Sequence, residues 1–210
     1  MAGKKKSPGV TPPPYHHGDL RQALVQAAVS ILEEEGLAAL SLRAVARRAG
    51  VSHAAPYHHF QDKEALLDAV AAEGFRLQML DMHNAAQNAA APINGLQAFG
   101  LSYASFARKH PSLFRLMYTH ERFTPGTSPE LVQWSGAIYP QIIAGVRERT
   151  GCSEEEASSI ALVLWSTMHG LAMLALDNQL SWPGAKPLDT LAFEVTELLG
   201  RVMPERKSPP

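Results

Sequence analysis

The chain has 210 residues, of which 46% are hydrophobic and 19% charged, a composition typical of an ordinary globular protein. The single cysteine, Cys152, cannot form a disulfide within the chain, which excludes a small disulfide-stabilised fold. The formal net charge is −1, but residues 1–60 hold 7 basic and 4 acidic side chains (+3), whereas the remainder holds 12 and 16 (−4). A basic end on an acidic protein suggests a polyanionic partner for that end alone.

The sequence shows no sign of export or membrane insertion. The basic start, Met1–Lys6, is followed by the polar, proline-rich segment Ser7–Pro14, where a signal peptide would need an apolar run. The longest apolar stretch, Ile160–Leu176, is interrupted by polar residues and is shorter than the roughly 20 residues that a membrane span needs. We therefore expect a buried core helix there, a cytoplasmic protein and no membrane partner.

The first elements in chain order are a disordered arm over residues 1–14 and a helix at about Asp19–Glu35. Apolar residues recur on one face of that helix at i, i+3, i+4 and i+7. Asp19 stands where an N-cap is expected, and Gly36 stands where a left-handed C-cap is expected. Together these signals predict one long amphipathic helix with a defined end.

Two short helices are predicted next, Leu42–Ala49 with Ser41 as its N-cap and about His53–Phe60 with Ser52 as its N-cap. Pro56 falls in the first turn of the latter, where few intrahelical hydrogen bonds exist to lose. Proline, glycine and polar breaks then delimit six further helices, and no alternating strand pattern occurs, so the predicted fold is all-α. These six lie at about 63–85, 92–109, 111–119, 129–149, 154–178 and 187–202.

Segment Leu42–Phe60 has the layout of a helix-turn-helix. Gly50 supplies the tight turn, and Ala46 is small where the two helices would cross. The second helix of such a pair enters the major groove of DNA, which is wide enough to admit one helix. The small side chains of Ala54 and Ala55 would let the backbone approach base edges or thymine methyl groups.

The stretch Tyr15–Leu67 closely resembles the DNA-binding domain of the TetR family of bacterial regulators. The match runs without a gap from the opening Tyr-His-His-Gly-Asp-Leu-Arg, through Ser-Leu-Arg-x-Val-Ala and Gly-Val-Ser, to Tyr-His-His-Phe and Lys-Glu-x-Leu-Leu. Trp165, His169 and Gly170 are similar to the Trp-His-Gly signature of the sensor domain in one subgroup of that family. In one position, Pro56, the chain departs from the family, which usually has leucine there.

The resemblance implies an N-terminal three-helix DNA-binding domain and a larger C-terminal helical bundle for ligand sensing and dimerisation. The implied division is 1–14 arm, 15–62 DNA-binding domain, 63–203 sensor and 204–210 disordered tail. It also implies two groups of DNA contacts, to phosphates and to bases. Phosphate contacts would come from Ser41, Arg43, Tyr57, His59 and Lys63, and base reading from Ser52, His53, Ala54 and His58, with Arg43 as a further candidate.

The C-terminal part is rich in large apolar and aromatic residues, most of which we expect in a helical core. A subset could line a cavity between helices, where bundles bind ligands. His169 lies one turn after Trp165, and it is either a ligand contact or a hydrogen-bonded core histidine. The candidate ligand-binding residues are Met79, Tyr103, Phe106, Met117, Trp134, Trp165 and His169.

The last two helices are the expected dimer interface, because Ile160–Leu176 is apolar on more than one face. A two-fold dimer predicts a palindromic DNA operator with half-sites about one helical turn, roughly 34 Å, apart. The sequence thus predicts a homodimeric repressor that binds double-stranded DNA and releases it when a small-molecule effector binds.

Other functions stay open at this point: a ligand-dependent activator, an enzyme, or a helical module that binds a protein partner. No phosphate loop, His-Glu-x-x-His motif or nucleophile elbow supports catalysis, so we expect no enzyme activity and no cofactor. The neighbouring histidines His16, His17, His58 and His59 could suggest a metal site. They lack Cys or carboxylate partners at metal spacing, so we expect no bound metal.

Overall fold

The computed structural model describes residues 17–87, 95–119 and 126–203, which form eight α-helices and one short 3₁₀ helix, with no strand among them. The predicted arm (1–14) and tail (204–210) lie outside the described residues. The all-α prediction is confirmed. The α-helices are α1 His17–Glu35, α2 Leu42–Arg48, α3 Lys63–Gln87, α4 Gly95–Lys109, α5 Pro111–Thr119, α6 Pro129–Thr150, α7 Glu154–Leu176 and α8 Leu188–Val202, and the 3₁₀ helix is Ala55–His58.

Helices α1 and α2, the 3₁₀ helix and the start of α3 form the N-terminal head. Its core consists of apolar side chains that are almost fully removed from water, which is the main stabilising contribution in so small a unit. Two predicted caps need correction: Asp19 lies inside α1, which begins at His17, and the residue before the 3₁₀ helix is Ala54 and not Ser52. The head core includes Leu24, Ala28, Ile31, Leu40, Val45, Phe60 and Leu66.

Local signals explain where these helices start and stop. The Ser41 hydroxyl accepts a hydrogen bond from the Ala44 amide at 3.2 Å, and an Asp62 carboxylate oxygen accepts one from the Ala65 amide at 2.9 Å. Gly36 has φ +83° and ends α1, as predicted from the residue type. The ends of these helices are therefore set by interactions within a few residues in sequence.

Helices α3–α8 form the larger C-terminal bundle, named the sensor after its expected role, in which α3 packs against α4, α5 and α6. One close contact between helices depends on glycine at Gly100. A Cβ at Gly100 would come within 2.3 Å of the Thr196 methyl, so α4 and α8 approach each other there. Gly170 was expected to allow a similar approach, but a Cβ there would meet nothing within 4 Å, so that expectation is wrong for the single chain.

Helix α7 contributes one buried face to the core, as expected of a core helix, and its opposite face is exposed in the single chain. Its buried residues recur at helical spacing, whereas Leu162, Val163 and Leu174 are exposed. By length and composition α7 is the one helix of the described residues that could cross a membrane, and 22% of its most apolar window is buried. The buried residues of α7 are Ala157, Ala161, Leu164, Met168 and Ala172.

Candidate DNA interface and ligand clefts

The first half of the helix-turn-helix presents a basic outer face. Leu42, Val45 and Ala46 are buried against the head, which leaves Arg43 and Arg47 exposed one turn apart on α2. Arg47 was not among the predicted contacts, although its i+4 spacing from Arg43 indicates the same face. Arg48 is different, because it pairs with Glu34 at 2.8 Å and Glu35 at 2.6 Å.

These partners also stabilise the charged form of the Arg48 guanidinium. Hydrogen bonds and charge from Glu34, followed by those from Glu35, raise the pKa of the Arg48 guanidinium above its ordinary value. The pairing closes α2 onto the end of α1. Of the three arginines of α2, Arg43 and Arg47 therefore present their charge outward, and Arg48 fixes the geometry of the head.

The turn and the recognition segment follow. Gly50 has φ +69°, a left-handed conformation that favours glycine, and the Val51 amide donates to the Ala46 carbonyl at 3.0 Å. The predicted helix His53–Phe60 is wrong in extent, since only Ala55–His58 is helical and it is a 3₁₀ turn. The Ala55 and Tyr57 amides donate to carbonyls three residues earlier, and Pro56 has no amide hydrogen to donate.

This short segment separates buried from exposed side chains sharply. Pro56 and Phe60 are buried and hold the segment against the head, while Tyr57 is 53% exposed. Of the nine predicted DNA contacts, eight are exposed and His59 is half-buried beside Phe60, with ring centroids 6.4 Å apart. The exposed eight are Ser41, Arg43, Ser52, His53, Ala54, Tyr57, His58 and Lys63.

Within the sensor, His169 lies in a cluster of aromatic rings. Its Nδ1 is 2.9 Å from the Tyr103 hydroxyl, and its ring packs against Phe114 and edge-on against Tyr118. The centroid distances are 5.6 Å and 4.6 Å, within the range of favourable aromatic contacts. His169 is thus a hydrogen-bonded core histidine in this structure, one of the two alternatives that the sequence left open.

Beside this cluster lies a cavity of about 380 Å³ between α3, α5, α6 and α7, which we name the aromatic cleft. Its volume falls within the range of small-molecule sites. Tyr139 donates its hydroxyl hydrogen to the Ser158 carbonyl at 2.8 Å, so the polar tip of this ring is already engaged. The lining residues are Phe75, Tyr118, Ser135, Gly136, Ile138, Tyr139, Pro140, Ile142 and Trp165.

A second cavity of about 330 Å³ lies between α3, α4 and the C-terminal half of α6, and we name it the Arg149 cleft. It is mostly apolar, with Arg149 and Glu148 as the charged residues of its lining. Arg149 is half-buried and donates to the Gly200 carbonyl at 3.2 Å. The remaining lining residues are Met82, Gly95, Leu96, Phe99, Gln141, Ile142, Gly145, Val146, Leu164 and Met203.

The predicted ligand residues fall in different places. Trp165 lines the aromatic cleft, and Met79 and Tyr103 border a very small cavity that also contacts Gln78. Phe106 and Met117 are fully buried and line neither cleft, and Met117 packs against Gly74. Trp134 is half-buried on α6 and also lines neither cleft.

Sequence reasoning missed Gln78, Tyr118 and Tyr139. Gln78 is 4% exposed, its Oε1 accepts from the Tyr118 hydroxyl at 3.1 Å, and its Nε2 is buried without a partner among the described residues. The available signal was a polar residue inside the apolar run Leu77–Leu80 of α3. In the part of the chain that the structure describes, no group of three His, Cys, Asp or Glu side chains could hold a metal.

Comparison with known proteins agrees with this architecture. Residues 24–70 match the family model described as bacterial regulatory proteins, tetR family, and residues 96–198 match the one described as tetracyclin repressor-like, C-terminal domain. The chain is 27% identical over 160 residues to an uncharacterised HTH-type transcriptional regulator of Mycobacterium tuberculosis, covering 74% of this chain and 70% of that protein.

Two solved structures are also similar. A Rhodococcus sp. RHA1 protein of unknown function is 36% identical with a TM-score of 0.77, over 92% of this chain and 100% of that one. A TetR variant from Acinetobacter baumannii AYE in complex with minocycline is 18% identical with a TM-score of 0.59, over 90% and 96%. The exposed helix-turn-helix, the helical sensor and both family matches lead to one conclusion: the chain belongs to the TetR family of bacterial transcriptional regulators.

Proposed function

We propose that this chain is a homodimeric repressor that binds a palindromic operator and releases it when a small molecule binds in the sensor. The recognition segment is the observation that carries the proposal: Pro56 and Phe60 are anchored in the head while Ser52, His53 and Tyr57 are exposed. A protein-binding surface would instead present a cluster of aromatic or leucine anchors, whereas the side chains exposed beside Tyr57 are small or polar. The proposed division stays at 15–62 for DNA binding and 63–203 for sensing and dimerisation.

The residue roles follow from chemistry and position. Lys63 begins α3, where a cation and the free amides of the helix N-terminus can both meet a phosphate oxygen. His53 and His58 can donate to base acceptors, and Ala54 can contact a thymine methyl. Phosphate contacts are proposed for Ser41, Arg43, Tyr57, His59 and Lys63, and base contacts for Ser52, His53, Ala54 and His58, with Arg43 in either group.

Dimerisation is proposed through α7 and α8. On α7, Val163 and Leu174 are exposed on the same face as the open Gly170. On α8, Leu198 is 61% exposed and Val202 72%, one turn apart. Apolar side chains in adjacent helical stripes are the pattern that a second copy of the chain would cover, giving an isologous four-helix interface.

Effector binding is proposed for the sensor clefts, because each is large enough for a small molecule. The distantly similar Acinetobacter TetR variant was solved in complex with minocycline. Of the predicted ligand residues, Trp165 lines the aromatic cleft. Met79, Tyr103 and His169 lie in the adjoining core. Phe106, Met117 and Trp134 are retained as candidates only if the clefts enlarge on binding.

The head and the sensor are joined by specific polar contacts that could carry a signal. Arg21 of α1 pairs with Glu130 of α6 at 2.5 Å, and its guanidinium also lies 5.5 Å from the Phe60 ring centroid. Asp68 of α3 accepts from the Ser128 amide at 2.5 Å, at the start of α6. An effector that shifts α6 would therefore act on Arg21, which contacts the Phe60 ring. The population of dimers able to bind DNA would then fall.

The test is in vitro selection of random duplex DNA by the purified chain, read by sequencing. We expect enrichment of a palindrome, with binding that weakens steeply as salt rises. Enrichment only in the presence of an added small molecule would indicate a ligand-dependent activator and not a repressor. No enrichment at low or moderate salt would overturn the proposed function.

A further inference from the structure

The two sensor clefts lie end to end along one helix. The aromatic cleft is lined by α6 residues from Ser135 to Ile142, and the Arg149 cleft by α6 residues from Gln141 to Arg149. Ile142 belongs to both linings. From Ser135 to Arg149 an α-helix rises about 21 Å at 1.5 Å per residue. The clefts together therefore follow a path much longer than either of them alone.

The partition between the clefts includes two methionine side chains. It surrounds a cavity of about 10 Å³ that shares Met82 and Phe99 with the Arg149 cleft and Ile138 with the aromatic cleft. Met79 completes this partition beside Met82. Methionine is unbranched and adopts many rotamers at little cost, so rotation of these two side chains can open a narrow passage.

The partition also contains an unsatisfied hydrogen-bond donor. Gln78 lines the small cavity, and its Nε2 has no acceptor among the described residues, whereas its Oε1 is fixed by the Tyr118 hydroxyl. A buried donor without an acceptor is unfavourable, and a cavity of this size barely admits one water molecule. An oxygen atom of a molecule that crosses the partition would satisfy this amide.

The two ends of the path differ in charge. Among the residues that the structure describes, no Asp, Glu, Lys or Arg side chain lines the aromatic cleft. At the other end, Arg149 is half-buried, and within the described part of the chain its hydrogen-bond partner is the Gly200 carbonyl and no carboxylate. Glu148 lines the same cleft but is exposed, where water screens its charge. The half-buried cation of Arg149, which has no carboxylate partner among the described residues, therefore favours an anionic group.

We propose that the two clefts form one site for a slim, elongated monocarboxylate with an oxygen near the middle of its apolar chain. The carboxylate binds Arg149, the central oxygen accepts a hydrogen bond from Gln78 Nε2, and the tail occupies the aromatic cleft. A chain with bulky rings at its centre does not pass Met79 and Met82. This assignment rests on the proposed role of the sensor as an effector-binding domain.

The experiment measures binding of oleate, ricinoleate and octanoate to the full chain below their critical micelle concentrations, by tryptophan fluorescence and calorimetry. Trp165 lies in the cleft wall and reports on the tail. Ricinoleate differs from oleate by one hydroxyl near the middle of its chain, so we expect it to bind about threefold to tenfold tighter. Octanoate is too short to reach both clefts, so we expect it to bind at least about 100-fold more weakly than oleate.

Matched variants locate the ligand. Arg149→Gln should weaken oleate and ricinoleate at least about tenfold, whereas Arg147→Gln, exposed on the same helix and outside both clefts, should not. Gln78→Met should remove the preference for ricinoleate. Ile142→Trp should block the shared wall and abolish binding of both long chains, while Ala144→Trp, exposed on α6, should leave it intact.

Several results would overturn the assignment: no saturable oleate binding, equal affinity for octanoate, or equal effects of the Arg149 and Arg147 substitutions. Operator binding by the ligand-free chain is measured in parallel. A chain that binds its selected palindrome but no long carboxylate refutes this site and leaves the proposed function standing. A chain that binds oleate as described but no DNA refutes the proposed function and not the chemistry of the site.

Discussion

The carboxylate of Glu33, near the end of α1, accepts a hydrogen bond from the backbone amide of Ser112 at 3.1 Å, in the first turn of α5. Its other oxygen accepts from the Leu113 amide at 2.9 Å. The first amides of a helix have no partner within the helix, and a negative charge there also interacts favourably with the helix dipole. A side chain of the DNA-binding head thus caps a helix of the sensor.

Replacing Glu33 by alanine should release this cap. We expect the Ser112 and Leu113 amides to exchange with solvent faster, the chain to lose about 0.5–2 kcal/mol of stability, and operator affinity to fall severalfold because the head is held less firmly. Hydrogen exchange, denaturant unfolding and operator binding measure these three effects. Glu34→Ala is the control, since Glu34 pairs with Arg48 inside the head. Identical exchange at α5 in both variants would refute the capping role.

Lys63→Ala should weaken operator binding with little dependence on operator sequence. A lysine that contacts a phosphate releases counterions from DNA, so its loss should reduce the slope of log affinity against log salt by about one unit per protomer. Operator affinity measured over a salt series gives this slope. Lys109→Ala removes an equally exposed lysine from the sensor and should leave the slope unchanged. A slope unaffected by the Lys63 substitution would remove this residue from the DNA interface.

Much of the fold could be predicted from the sequence because its determinants are local. Proline, glycine and capping residues mark the ends of α5, α6 and α7, and these helices begin where the breaks were predicted. The exposed positions of the helix-turn-helix also follow from the spacing of its buried residues. The recognition segment is shorter than the sequence predicts, since only a 3₁₀ turn forms around Pro56 at Ala55–His58.

The sensor was less predictable because its interactions join residues distant in sequence. Glu33 and Ser112 are 79 residues apart, and the Gln78–Tyr118 hydrogen bond spans 40. Nothing in the sequence near Gln78 indicates that its amide oxygen accepts a hydrogen bond while its amide nitrogen has no acceptor among the described residues. Hydropathy likewise could not show which apolar face of α7 packs inside the chain and which one is exposed.

Leu198→Glu tests the proposed dimer interface, and we expect this variant to be monomeric. Leu198 is 61% exposed on α8, and a carboxylate at the centre of an apolar interface would be desolvated without a partner. Light scattering or sedimentation equilibrium should give half the mass of the unsubstituted protein, and operator affinity should fall sharply. Leu80→Glu places the same charge on α3 at a leucine that is 45% exposed, and it should remain dimeric. A dimeric Leu198 variant would place the interface elsewhere.

Glu73 makes the stability of the head–sensor junction depend on pH. It is 5% exposed, and it accepts from Arg76 at 2.7 and 2.8 Å and from Gln26 of α1 at 2.7 Å. Burial acts to raise the pKa of the Glu73 carboxyl, but the hydrogen bonds and charge of Arg76, with the bond from Gln26, outweigh it and lower this pKa below its ordinary value. The same pairing raises the pKa of Arg76.

A carboxyl with a lowered pKa in the folded state stabilises the fold above its unfolded pKa, about 4.3, and loses that contribution as pH falls through the folded value. Glu73→Gln should therefore cost about 1–3 kcal/mol at pH 7 and flatten the decline of the unfolding free energy below about pH 4.3. Urea unfolding over a pH series measures both effects. Glu154→Gln, at an 80% exposed side chain, should change neither by more than about 0.5 kcal/mol. A Glu73 variant that keeps the full acid dependence would show that other carboxylates govern acid unfolding.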